Sequence, residues 1–375
     1  MAKQTIDPEL VYLDSTKLRR LVIEHGLSDG RLNELLNKSY DDQRIPRHER
    51  NGMSRNTQDK AFRGEGVRRD VAKFIADFFQ CKVSDLVDPR DPSFEPPTTM
   101  ISGAEWEWTI DEALQHCGRV AANGLHFFLF RMKHRHIPSR LGRGKFYLLS
   151  GLAAADRERK RELLQRHAFV SNQVGLHPHL AEVISSTPTA GDGGWWVVER
   201  WLDAIPLAEV LISGRFQPAD LPRLMREIAA GLSALHRAQI VMRELAPSRV
   251  LLAKADGRAV LTDFELAKLL EGGPTVSPGE EWPEDPYRAE EVGPGEVTLQ
   301  ADLYSWARIL VHAAAGRLPE RGEDINVVAK CGLPKRVWVT VQSCLEPAPS
   351  NRPARMEEVE EVIRDWKWRG PVNER

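Results

Sequence analysis

A run of prolines divides this chain. Residues 89–103 read PRDPSFEPPTTMISG, with four prolines, few aliphatic side chains and no helical period. Proline fixes φ and has no N–H to donate, so such a run neither continues a helix nor joins a sheet interior, and it behaves as a stiff connector. The chain must therefore fold as separate bodies on either side of it. Its 375 residues are enough for two or three domains, each large enough to bury a core. The expected boundaries are a first domain over 1–88, a Pro-rich linker over 89–104 and a larger body over 105–370.

The two sides differ in charge. Residues 1–90 hold 17 Lys/Arg against 15 Asp/Glu, and within them Arg44–Lys73 holds nine basic residues against four acidic. The formal net charge of −2 for the whole chain thus averages a basic segment with a mildly acidic remainder, and does not exclude a nucleic-acid surface. A composition of 42 % hydrophobic and 28 % charged residues excludes wholesale disorder. Apolar stretches such as Ile309–Gly316 fall far short of the ~20 residues of a membrane span, and MAKQTIDPEL lacks an apolar signal core. Cys81, Cys117, Cys331 and Cys344 form no C-x-x-C pair, which argues against a zinc module and suits a reducing compartment. A cytoplasmic protein without a membrane partner is expected.

Before the linker, periodicity predicts short helices. Asp14-Ser15-Thr16 caps a helix with Leu18, Leu21 and Val22; a second runs from Asp29 to Asn37; Lys38–Met53 reads as a basic loop. Ser54 caps a third helix closed at Gly64, Val67–Gln80 makes a fourth, and VSDLV a short fifth. MSRNTQDKAFRGEGV followed by VAKFIADFFQCKVSDLV resembles the lambda-repressor-like (XRE/Cro-type) helix-turn-helix family. The resemblance implies an all-α five-helix domain that binds double-stranded DNA, commonly as a homodimer. Ser54, Arg55, Asn56, Thr57 and Gln58 would then enter the major groove, with Lys60 and Arg63 on backbone phosphates. The Lys38–Met53 insert departs from the family's short connection.

After the linker, the segment Gly231–Leu270 reads as a helix ending at His236, a loop, a short strand pair and the tripeptide Asp263-Phe264-Glu265. Downstream lie PYRAEEV, ADLYSWARIL and CLEPAPSNRP; upstream lie GLHPHLAEVI and WWVVERWLDAIPLAEVL. These ordered motifs resemble a eukaryotic-type protein kinase, with a small lobe over 105–200 and a large lobe over 201–370. WWVVERWLD would be the hinge strand. The overall fold class is therefore α+β, an all-α domain followed by a two-lobed kinase-like domain.

The resemblance weakens where chemistry is done. Phosphoryl transfer needs a base near the acceptor hydroxyl, metal ligands and a cation on the nucleotide phosphates. Aligned with the family's His-Arg-Asp is Met242-Arg243-Glu244, whose acid is one methylene longer. The loop lysine is Ala246, the metal-binding asparagine is Arg249, and the metal-loop glycine is Glu265. Ser150 stands at the phosphate-lysine position. A guanidinium cannot coordinate magnesium, so Arg249 is expected to pair with Asp263 in the metal's place. The architectural positions Asp302, Glu291, Arg352 and Phe264 keep the family residue.

This sorting implies a pseudokinase, with no residue in a catalytic role. The expected protein is a DNA-binding transcriptional regulator whose kinase-like domain senses or binds a ligand or partner protein without phosphoryl transfer. A nucleotide, ATP or another, could bind there without magnesium. Two alternatives stand beside it: an active Ser/Thr kinase targeted to DNA, using Glu244 as base and Asp263 as sole metal ligand, and an interaction scaffold in a bacterial defence or regulatory assembly. The basic turn Met132–Lys145 is expected to be a solvated hairpin.

Overall fold

A computed structural model describes residues 10–15, 18, 21–22, 55–81, 83–88, 108–114, 119–120, 125–150, 152–189, 193–270, 285–292 and 297–368. Ser54, the expected helix over 29–37, the Lys38–Met53 insert and the linker lie outside these residues. The chain divides into two compact units: Met1–Ser139 with Lys145–Ala154 and Thr189–Gly194, and Arg140–Gly144 with Ala155–Pro188 and Trp195–Arg375.

In the first unit, strand β1 (Leu10–Tyr12) pairs antiparallel with β2 (Gly66–Arg68), and Val11 lies opposite Val67. Helix α1 (Arg55–Phe62) precedes β2; α2 (Arg69–Phe78) and α3 (Val83–Leu86) follow it. Val71, Ala72, Ile75 and Ala76 form the inward stripe of α2 and join Val11, Leu13, Phe62, Val67 and Val87 in a small core. The β1–β2 ribbon corrects the expectation of an all-α domain. Val67 opens no helix; its β-branched side chain packs across the ribbon, and the helix begins two residues later at Arg69.

The same unit carries β3 (Trp108–Ala113) and β4 (Arg119–Val120), both antiparallel to β5 (His126–His134). Lys145, on β6 (Leu141–Leu148), is 1 % exposed, with its ammonium 4.5 Å from the Phe127 ring centre. At Gly194 a Cβ would sit 2.3 Å from Phe146 Cε2 and 3.1 Å from the Tyr147 carbonyl oxygen. Phe146 is fully buried and cannot swing away. Gly194→Ala should therefore destabilise the protein by about 1–3 kcal/mol, an overpacking penalty that urea denaturation would measure.

The second unit holds the larger core. It contains α4 (Ala154–Val174), the antiparallel pair β7 (Val183–Pro188) and β8 (Gly194–Arg200), and β9 (Ala204–Pro206). After α5 (Leu207–Ile212) and α6 (Leu221–Arg237) comes β10 (Ile240–Val241). Strand β11 (Val250–Ala253) lies between β9 and β12 (Ala259–Leu261), and β13 (Lys268–Leu269) pairs with β10. Helix α7 (Gln300–Ala315) is buried almost all round and ends at Gly316 in the left-handed region (φ 69°). The last helices are α8 (Asp324–Val328), α9 (Lys335–Cys344) and α10 (Met356–Ile363). Trp366 is buried in the same core. No helix among the described residues is long and apolar enough to cross a membrane.

Candidate active site

The site grows from one buried acid on α7. Asp302 is fully buried; its Oδ1 accepts the Arg243 N–H at 2.8 Å and its Oδ2 the Met242 N–H at 2.8 Å. His236, at the end of α6, places Nε2 3.0 Å from the same Oδ2, so that nitrogen carries the ring proton. These bonds hold the loop after β10 in a conformation that puts Arg243 at φ 68°. Asp302 thus anchors the backbone of the loop that carries Glu244. Met242 and Phe264 are each 1 % exposed and share the unit's core, while Ala246 is buried at 6 %.

Glu244 follows in that loop, and Arg249 ends the short 3-10 turn Pro247–Arg249 before β11. Arg249 Nη1 donates to Asp263 Oδ2 at 2.9 Å and to Glu265 Oε1 at 3.2 Å; Nη2 donates to Glu244 Oε2 at 3.3 Å. The expected Arg249–Asp263 pair is therefore present, within a wider acidic cradle. Asp263 itself sits at φ 66°. Its other oxygen, Oδ1, lies 3.3 Å from Arg143 Nη1, which also donates to Glu199 Oε2 at 2.6 Å and to Thr262 Oγ1 at 3.1 Å. The Thr262 hydroxyl in turn donates a hydrogen bond to Glu199 Oε1 at 2.9 Å. Behind the cradle, Glu265 is fully buried with Oε2 3.4 Å from Nε2 of His167 on α4.

Burial pushes the Glu244 carboxyl up to about 7, against the opposing pull of Arg249. Burial alone would weaken the Arg249 cation, but Glu265, Asp263 and Glu244 outweigh it and hold the guanidinium well above its ordinary value. Arg143 is likewise raised, Asp263 and Glu199 outweighing its desolvation. The two arginines are permanent cations, and Glu244 is a carboxyl poised near neutrality.

Several site residues were not foreseen. Arg143 belongs to the turn expected to be solvated, yet it sits among buried acids; with Glu199 and Thr262 it makes a second cation centre. Ser150 does not stand in for a phosphate-binding lysine: it lies beyond the end of β6 as an exposed turn residue, its N–H on the Gly193 carbonyl at 2.9 Å. His167, rather than a glutamate of α4, reaches the Asp263-Phe264-Glu265 segment.

Away from this cluster, Arg352 donates to both oxygens of Glu291 at 2.5 and 3.1 Å, and to the carbonyls of Glu346, Gln300 and Pro347. These bonds tie the segments around Glu291, Gln300 and Glu346–Pro347 to Arg352. Arg352→Lys should cost about 2–4 kcal/mol in thermal unfolding, because a single ammonium cannot reproduce a fork that bonds five acceptors at once.

The family model of the protein kinase domain matches residues 153–364. This chain belongs to the protein kinase family. Its similar proteins are bacterial kinases by name. The probable serine/threonine-protein kinase PkwA of Thermomonospora curvata is 28 % identical over 198 residues, 50 % of this chain and 26 % of the relative. Serine/threonine-protein kinases PknA of Corynebacterium glutamicum is 32 % identical over 142 residues, 37 % and 30 % of the two chains. Serine/threonine-protein kinase PknD of Mycobacterium tuberculosis is 28 % identical over 168 residues, 44 % and 25 %. The aligned part thus spans between a quarter and a third of these relatives.

These findings overturn the reading of the kinase-family chain as a DNA-binding regulator with a non-transferring domain. The homology lies in a kinase domain, and the relatives carry kinase names. The expected ion pair of Arg249 with Asp263 extends to Glu265 and Glu244. On the N-terminal side, α1 carries Arg55, Asn56, Thr57, Gln58 and Lys60, but two nearby cations are already engaged. Arg63 pairs with Glu65 at 2.9 Å and Arg68 with Asp70 at 2.5 Å, which blunts the basic patch read from the sequence.

The family's magnesium centre does not fit these residues. Both oxygens of Asp263 face arginines, position 249 is itself an arginine, and among the described residues no group of three His, Cys, Asp or Glu is placed to hold a metal ion.

Proposed function

We propose that the chain is a Ser/Thr protein kinase with atypical motifs, in which Glu244 takes the proton of the acceptor hydroxyl. The observation that carries this reading is Glu244 itself. It stands where the family keeps its proton acceptor, buried, and with a carboxyl at about 7. A base titrating near the working pH combines a usable ionised fraction with a real affinity for the proton. The domain match and the kinase relatives support the same reading.

The remaining groups fall into supporting roles. Asp302 fixes the loop that carries Glu244. Arg249 and Arg143, held by Glu199, Thr262, Asp263, Glu265 and Glu244, supply fixed positive charge for a nucleoside triphosphate's phosphates. As the acceptor oxygen bonds to the γ-phosphorus, its proton passes to Glu244 and the nucleoside diphosphate leaves. The test is transfer of labelled γ-phosphate from ATP to a generic Ser/Thr substrate and to the chain itself. Transfer by the full chain that Glu244→Gln abolishes supports the reading. No transfer with either acceptor overturns it.

A further inference from the structure

The two departures from the family's motif that matter most touch each other. An arginine stands where the family has a metal-binding asparagine, and a glutamate where it has glycine; Arg249 Nη1 and Glu265 Oε1 are 3.2 Å apart. An arginine alone in this buried place would be an uncompensated charge. Glu265, fully buried, supplies the matching negative charge, and His167 closes the far side at 3.4 Å. Asp263 and Glu244 complete the cradle at 2.9 and 3.3 Å. The position of the family's metal ligand thus holds a guanidinium in a built acidic socket.

That cation retains bonding capacity. The contacts to Asp263, Glu265 and Glu244 use three of the five N–H groups of a guanidinium, leaving two for another acceptor. Arginine forks suit phosphate oxygens, and a permanent charge on a rigid mount needs no reorganisation when an anion arrives. Arg143 flanks the opposite oxygen of Asp263 as a second fixed charge.

We propose that Arg249 is the resident cation of the phosphate site, in the place of a divalent metal, so that a nucleoside triphosphate binds this chain without magnesium. The proposal rests on the kinase reading for the identity of the ligand, and on the Arg249–Glu265 socket for the absence of a metal requirement.

The experiment is calorimetric titration of the full chain with ATP, in EDTA and in magnesium, alongside the transfer assay. Wild type should bind ATP in EDTA within about threefold of its affinity in magnesium. Arg249→Asn, which restores the family residue, should weaken binding in EDTA by roughly tenfold or more, as expected for loss of a charge-assisted contact. Arg249→Lys keeps the charge and should retain most of the metal-free binding. Arg249→Gln, neutral and closer in length to arginine, should also lose the metal-free binding and serves as the second reading if the asparagine variant fails to fold. Binding by wild type only with magnesium, no binding in either buffer, or metal-free binding unchanged in a folded asparagine or glutamine variant overturns the proposal. Metal-free binding without transfer sinks the kinase reading alone; transfer with binding only in magnesium sinks this inference alone.

Discussion

Glu244→Gln will lower phosphate transfer by about 100- to 10,000-fold, the usual contribution of a positioned general base. Glutamine keeps the length of the side chain and an oxygen that can face Arg249, so the loop should survive while the proton acceptor is lost. The pH dependence separates this from a merely structural effect. The wild-type carboxyl is pushed up to about 7 from an ordinary value near 4.5. The ionised base accumulates as pH rises through 7, so kcat/KM should climb across that range and then level. Stability moves the other way. A buried acid whose folded pKa is raised binds its proton more tightly in the native state, so native stability falls as pH rises from about 4.5 to about 7. At 1.36 kcal/mol per unit the loss approaches roughly 3 kcal/mol, and the glutamine variant should lack it. Urea midpoints at pH 5 and pH 8 would show the variant gaining on wild type as pH rises. Transfer within about threefold of wild type, or a wild-type rate flat from pH 6 to pH 8, removes Glu244 from the role of base.

How much of this was legible in the sequence depends on where each contact comes from. Asp302, Glu291 and Arg352 could be singled out because each sits in a motif whose order along the chain is itself diagnostic, while the bonds they make are visible only in the fold. The Arg249–Asp263 pair was readable because two opposite charges occupy neighbouring metal positions. Arg143 was not. Its neighbours Arg135, Arg140 and Lys145 make the segment look like an ordinary charged turn, and only folding brings Glu199 and Thr262 to it, from 56 and 119 positions away. Glu265 was seen only as a lost glycine, since its partners His167 and Arg249 lie on other elements. The β1–β2 ribbon failed for a different reason. Three residues per strand are too few to show an alternating period, so Val67 was drawn into the stronger helical pattern that follows. The buried Arg308–Asp324 pair also gave no sequence signal, because an arginine at mid-helix reads as a surface residue until the helix proves to be enclosed.

Asp302→Asn will destabilise the second unit by about 3–5 kcal/mol and abolish transfer along with it. Three donors converge on this carboxylate: the Met242 and Arg243 N–H groups at 2.8 Å each and His236 Nε2 at 3.0 Å. Asparagine offers one oxygen and one amide nitrogen. If the nitrogen faces Arg243, its N–H loses its acceptor and meets another donor; if it faces the other side, Met242 and His236 both lose theirs. Either way a buried donor is stranded, at about 1–3 kcal/mol apiece. The anchored backbone adds to the cost. Arg243 is held at φ 68°, where a side chain with Cβ is strained by about 1–2 kcal/mol. Without the carboxylate the Met242 and Arg243 N–H groups lose the two acceptors that hold this conformation. Glu244 is the next residue, so a relaxed Arg243 swings the base away from Arg249, and activity falls before the protein unfolds. At roughly 2–4 °C per kcal/mol for a unit of this size, the melting temperature should drop by about 6–20 °C. Calorimetry checks the drop, and a transfer assay well below the new midpoint checks the activity. A variant that melts within about 2 °C of wild type would mean that the loop is held by something other than Asp302. A variant that melts early yet transfers at full rate when cold would separate the fold's anchor from the placement of the base.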